Sequence, residues 1–126
     1  MIDFSHLPPD DKQPVYLQLV AHVKRQILLG TAQDGEALPS RREIAMQANV
    51  NPNTVQKAYR LMEEEGFVVT DGNRPSTLRV TPERYEAIQD ELTRGLCLDF
   101  VEKAQQNHLT YKRAIALISE LWGEEE

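Results

Sequence analysis

The chain has 126 residues, 40% of them apolar, and a formal net charge of −6 at pH 7. That suffices for one small domain, or one domain with an appendage, and is too little for two independent cores. No apolar run reaches the roughly eighteen residues of a transmembrane helix, the opening MIDFSHLPPDDKQP lacks the basic and apolar regions of a signal peptide, and the single Cys97 excludes an internal disulfide and fits a reducing cytoplasm.

Residues 1–13 are polar and proline-rich and read as an extended arm. From Pro14 a helix is expected, because Tyr16, Leu19, Val20, Val23 and Ile27 recur at helical spacing and Gly30 stands just past its end. Thr31 to Ala37 reads as a loop. From Leu38 to Gly66, LPSRREIAMQANVNPNTVQKAYRLMEEEG reads as two helices joined by a tight turn. Ser40 and Glu43 form a capping box for the first. Asn49 suits a left-handed turn residue, Asn51-Pro52 is an N-cap followed by proline at the first helical position, and Gly66 closes the second helix. Ile44, Ala45, Ala48 and Val50, then Val55, Ala58, Tyr59, Met62 and Phe67, supply a continuous inner face.

The outer face is rich in donors. Arg41, Arg42, Asn53, Thr54, Gln56, Lys57 and Arg60 are side chains of the kind that grip phosphates or read base edges. Leu38 to Arg60 holds four basic residues and one acidic one, in an acidic chain. A helix pair with a donor-rich second helix is how a helix-turn-helix enters the major groove. The competing reading is an ordinary helical hairpin with a solvated polar face. Glu63-Glu64-Glu65, at the far end of the second helix, are expected to point away from phosphates.

Phe67-Val68-Val69-Thr70 and Thr77-Leu78-Arg79-Val80 read as two short strands about a turn at Asp71–Pro75. Such a hairpin is a wing, and Arg74 at its tip is placed to enter a minor groove; the alternative is a solvated hairpin. Thr81-Pro82-Glu83 then opens a long helix, whose stripe runs through Tyr85, Ile88, Leu92, Leu96, Asp99, Phe100 and Lys103. It stops near Asn107-His108, and Thr110 caps a last helix carrying Ile115, Leu117, Ile118, Leu121 and Trp122. Two amphipathic helices alone leave apolar stripes uncovered, so pairing with the same segment of a second copy is expected. Tyr85, Ile88, Leu92, Leu96, Phe100, Ile115, Ile118, Leu121 and Trp122 are the candidate dimer residues. An effector, if one acts, is expected at that interface beside Tyr85, Phe100, Tyr111 and Trp122, although plain core packing accounts for the same aromatics.

The charge divides unevenly. Residues 1–82 hold nine Lys/Arg and ten Asp/Glu, and residues 83–126 hold five and ten, so the acidity lies mostly in the tail and leaves the local basic patch intact. His6, His22 and His108 stand far apart and read as surface residues. No metal site, no cofactor and no catalytic constellation is expected. Cys97, within Leu96-Cys97-Leu98, reads as a buried small hydrophobe.

The first helix, LPSRREIA, VNPNTVQKAYRLMEEEG and the following hairpin resemble, in order and spacing, the winged helix-turn-helix of GntR-type bacterial transcription regulators over about Gln13 to Val80. The short tail resembles the small YtrA-like branch, whose members carry a compact helical dimerisation domain. By that resemblance Arg42 and Thr54 fall on phosphate- and base-contacting positions, with Asn53 beside them; Arg41, Gln56 and Lys57 rest on the helix face alone. The family's wing tip is a glycine-rich basic loop, where this chain has Pro75 and Ser76. The resemblance also implies control of nearby transport operons.

Sequence and resemblance together imply a mostly α fold with a small β-wing. A winged helix-turn-helix DNA-binding domain is expected over residues 1–80 and a helical dimerisation domain over residues 81–126. The expected function is a cytoplasmic homodimeric regulator that binds a pseudo-palindromic operator on double-stranded DNA, represses by occlusion and has no membrane partner. A protein-interaction module and a small enzyme are the rival classes.

Overall fold

The computed structural model describes residues 1–7 and 12–123; the part of the expected arm at residues 8–11 lies outside them. Five helices and one small sheet follow the predicted order: α1 (Val15–Leu29), α2 (Arg41–Ala48), α3 (Pro52–Glu65), β1 (Val68–Val69), β2 (Thr77–Leu78), α4 (Pro82–Gln106) and α5 (Tyr111–Trp122). The chain divides into two compact units, Met1–Gln89 and Asp90–Glu126. Among the described residues no helix is long and apolar enough to cross a membrane.

In the first unit, α1, α2 and α3 wall a core of Leu19, Val23, Ile27, Ile44, Val55, Tyr59 and Met62, all buried. Local chemistry sets the ends of these helices. Ser40 Oγ accepts the Glu43 amide while Glu43 Oε1 accepts the Ser40 amide, which satisfies two otherwise orphaned donors of α2. Asn49 takes the left-handed conformation that ends α2 (φ 55°) and turns the chain into α3. At the far end of α3, Gly66 has φ 88° and the Arg84 guanidinium fills the space a Cβ would take, so a side chain there would be strained and would have to displace Arg84.

The wing is antiparallel, with Val68 opposite Leu78 and Val69 opposite Thr77. The segment read as a plain loop contributes to it. Ala37 bridges Thr77, Leu38 N–H donates to Ser76 O (2.8 Å) and Leu78 N–H to Glu36 O (2.9 Å). The wing is thereby stitched to the approach to α2. One isolated bridge leaves no alternating run for a sequence pattern to reveal.

The arm differs from expectation in being anchored. Ile2 and Phe4 are buried, Phe4 N–H donates to Gln47 Oε1 (2.9 Å), and His22 Nε2 lies 2.8 Å from Asp3 O. His22, read as a surface residue, is buried with its ring 5.2 Å from that of Phe4. Two apolar residues in a polar stretch carry no periodicity, which is why the docking is invisible in the sequence. The first turns of α4 also belong to this unit: Ile88 is buried, and Tyr85 O–H donates to Leu28 O (3.3 Å).

The second unit holds the rest of α4 and α5. His108 (φ 58°) is left-handed and Leu109 N–H returns to Ala104 O (2.8 Å), ending α4. Thr110 Oγ1 then accepts the Arg113 amide as the N-cap of α5. Ala114 is the one residue of α5 that the chain buries. Cys97 is exposed, contrary to the buried role expected of it, as are its neighbours Leu96 and Leu98; an apolar run does not by itself supply a surface to cover it.

Candidate nucleic-acid interface

The capping box fixes the start of α2, and so fixes where its first two side chains point. Arg42 is exposed. Arg41 turns the other way: its guanidinium lies 4.2 Å from the centre of the Tyr59 ring, and Nη2 is 3.7 Å from Glu63 Oε2. Tyr59 in turn donates its hydroxyl to Pro39 O. Burial pushes the Tyr59 phenol up to about 12, with Arg41 opposing and Glu43 and Glu63 adding to the shift.

The start of α3 is set by Asn51, whose Oδ1 accepts the Asn53 amide (2.7 Å), with Pro52 at the first helical position. Positions 53, 56, 57 and 60 share one helix face. Asn53, Lys57 and Arg60 are exposed there, and Gln56 and Thr54 are half-buried. The opposite face, Val55, Ala58, Tyr59 and Met62, is buried, so the core determines which side chains α3 offers outward. Lys57 Nζ sits 4.2 Å above the Tyr16 ring of α1, which steadies a long side chain without removing its charge from solvent.

The acidic end of α3 is engaged elsewhere. Glu65 Oε1 is 2.8 Å from Lys24 Nζ, and Glu63 meets Arg41 and Thr70. Glu43, the acid nearest the donors, is occupied by the Ser40 amide. Arg74 is exposed in the wing turn, where its amide closes onto Asp71 O (3.1 Å). Arg74 and Arg41 line one open cleft of about 400 Å³ between the start of α2 and the wing, together with Ser40, Glu43 and Asn73. Exposed donors and an acid-depleted face are what phosphate contact and base-edge readout require. Arg42, Asn53, Lys57 and Arg74 all present that chemistry outward.

Of the expected dimer residues, Ile88 is already buried in its own chain and Tyr85 is tied to Leu28. Leu92 is half-buried. Leu96, Phe100, Ile115, Ile118, Leu121 and Trp122 are exposed, Leu96 to 72% and Trp122 to 71%. Tyr111, expected beside the interface, is exposed, and so are Leu98 and Val101; these last two fall outside the expected stripe, and only the crowding of apolar residues from Leu96 to Val101 signals them. Among the described residues no group of His, Cys, Asp or Glu is arranged to hold a metal ion.

The profile of bacterial regulatory proteins of the gntR family matches residues 15–77, from the start of α1 into β2. The chain is 34% identical over 98 residues to the HTH-type transcriptional regulator YhcF of Bacillus subtilis (strain 168), an alignment covering 78% of this chain and 81% of that one. It is 41% identical over 64 residues to the HTH-type transcriptional repressor YtrA of the same organism, covering 51% and 49%. Among solved structures, a GntR family transcriptional regulator from Listeria monocytogenes superposes with a TM-score of 0.81 at 28% identity, covering 90% of this chain and 99% of that one.

Proposed function

This chain belongs to the gntR family of bacterial regulatory proteins and is a DNA-binding regulator of transcription; from that premise we propose that it works as a cytoplasmic homodimeric repressor. Residues 1–80 bind the DNA and residues 81–126 pair two copies. Arg42 and Lys57 grip phosphates beside the major groove, Asn53, Thr54 and Gln56 face base edges, and Arg74 reaches the backbone or minor groove from the wing.

The observation that carries the dimer is the second unit itself. Leu96, Leu98, Phe100, Val101, Ile115, Ile118, Leu121 and Trp122 are exposed on a segment that buries almost nothing of its own. An apolar surface of that extent calls for a partner, and a second copy supplies a self-complementary one. A two-fold pair presents two α3 helices to half-sites about one turn of B-DNA apart, hence a pseudo-palindromic operator. Repression is taken from the similarity to YtrA, a named repressor.

Sedimentation of the full chain at micromolar concentration tests this reading. A dimer is expected, and a chain ending after Gln89, which keeps the first unit whole, should sediment as a monomer and bind operator far more weakly, because linkage between half-sites is lost. A monomeric full chain contradicts it.

A further inference from the structure

The wing tip of this chain departs from the glycine-rich pattern at Pro75-Ser76, and Ser76 is a buried polar residue, 5% exposed. Its hydroxyl is paired with Thr70 Oγ1, across the wing turn. Thr70 donates its single proton to Glu63 Oε2 at 2.6 Å, which leaves Ser76 as the donor to Thr70. The same Glu63 oxygen faces Arg41 Nη2 at 3.7 Å. The result is an oriented polar chain in which Ser76 donates to Thr70 and Thr70 to the Glu63 carboxylate, with the Arg41 guanidinium within ion-pair distance of the same oxygen. It joins the first turn of α2, the last turns of α3 and both sides of the wing turn.

We propose that Thr70 and Ser76 are positioning residues that lock the wing to α3 through Glu63, and so hold Arg74 against the DNA. The proposal rests on the reading of Arg74 as a DNA contact. Strands two residues long hold a hairpin weakly. The backbone bridges at Ala37, Leu38 and Glu36 fix β2 alone, from the side of the loop before α2. The Glu63–Thr70–Ser76 chain ties the beginning and the end of the turn to the helix that reads the groove. Charge-assisted hydrogen bonds to a carboxylate are the strong kind, and directional ones fix an angle as well as a distance. Arg41 thus belongs to this lock rather than to the DNA face.

The test uses the full chain. Thr70→Val keeps the shape and removes the hydroxyl; Thr70→Ser restores it. Amide exchange reads the lock directly. Thr70→Val should speed exchange at Arg74 and Arg79 at least tenfold while Val23 and Ala58 in the helices stay unchanged, and Thr70→Ser should return both to the parent rate. Uniform acceleration across all four amides, or no acceleration at the wing, overturns the lock. Operator titration reads its consequence. Thr70→Val should weaken binding about three- to tenfold, and Arg74→Ala should then cost little more in that background. Full additivity of the two changes overturns the positioning role. If Arg74→Ala alone binds like the parent, the reading of Arg74 as a contact fails, and the exchange rates still decide the lock.

Discussion

The Arg41 guanidinium lies 4.2 Å from the centre of the Tyr59 ring, between the start of α2 and the inner side of α3. Its neighbour Arg42 is exposed to solvent. Two adjacent arginines between the capping residues therefore have different surroundings. A stacked, ion-paired arginine packs its stem and costs stability when removed; an exposed one costs affinity.

The first prediction separates them. Arg41→Ala should lower the melting temperature, by about 1 kcal/mol of stability, with operator binding reduced only through the weakened fold. Arg42→Ala should leave the melting temperature unchanged and lose tenfold or more in operator affinity, about 1.4 kcal/mol or above. Paired calorimetry and binding titrations decide it. Identical behaviour of the two variants would show that the capping box does not sort them.

A second prediction distinguishes gripping from reading along α3. Lys57→Ala should weaken specific and random DNA alike and reduce the salt slope by about one. Asn53→Ala should relax preference at a single base position, by roughly 1–3 kcal/mol for a bidentate contact. Titrations on operator and scrambled duplexes at several salt concentrations separate the two. A uniform loss for Asn53→Ala would make it a phosphate contact.

Tyr59 gives a pH prediction. Its phenol is raised to about 12 in the fold, chiefly by burial, above an unfolded value near 10. The protonated phenol therefore favours the fold fully below the unfolded pKa, and that contribution is lost as pH rises through about 12. Between about pH 9 and about pH 12 the parent should lose on the order of 2 kcal/mol more than Tyr59→Phe. Denaturant melts of both proteins across that range check it; parallel curves would remove Tyr59 from the alkaline transition.

The helices were legible because each carries its own punctuation. Ser40 with Glu43, Asn51 with Pro52, Gly66, and Thr110 are local signals, and local signals survive in a single sequence. The packing of Arg41 was not legible. Its direction depends on Tyr59 and Glu63, both remote along the chain, while its composition matches that of a DNA-facing residue. The docked arm was hidden for the same reason: Phe4 meets the His22 ring and hangs its amide on Gln47, both on other elements. In the tail, reading one stripe caught Leu96 and Phe100 and missed Leu98 and Val101, because exposed apolar residues lie on more than one side of α4.

The arm yields a stability prediction. Phe4 is fully buried against His22, and its amide is held by Gln47. Phe4→Ala should therefore destabilise the protein by about 3 kcal/mol. Equilibrium denaturation measures this. A loss below about 0.5 kcal/mol, the range of ordinary surface substitutions, would mean that the arm does not contribute to the core.

The central claim, that two copies place two α3 helices on one DNA, is tested most directly by sequencing the duplexes that the purified full-length protein selects from a random pool. An inverted repeat is expected, its half-sites centred about one helical turn, roughly 10 base pairs, apart. Enrichment of a single unrepeated half-site, or no enrichment above the starting pool, would contradict it.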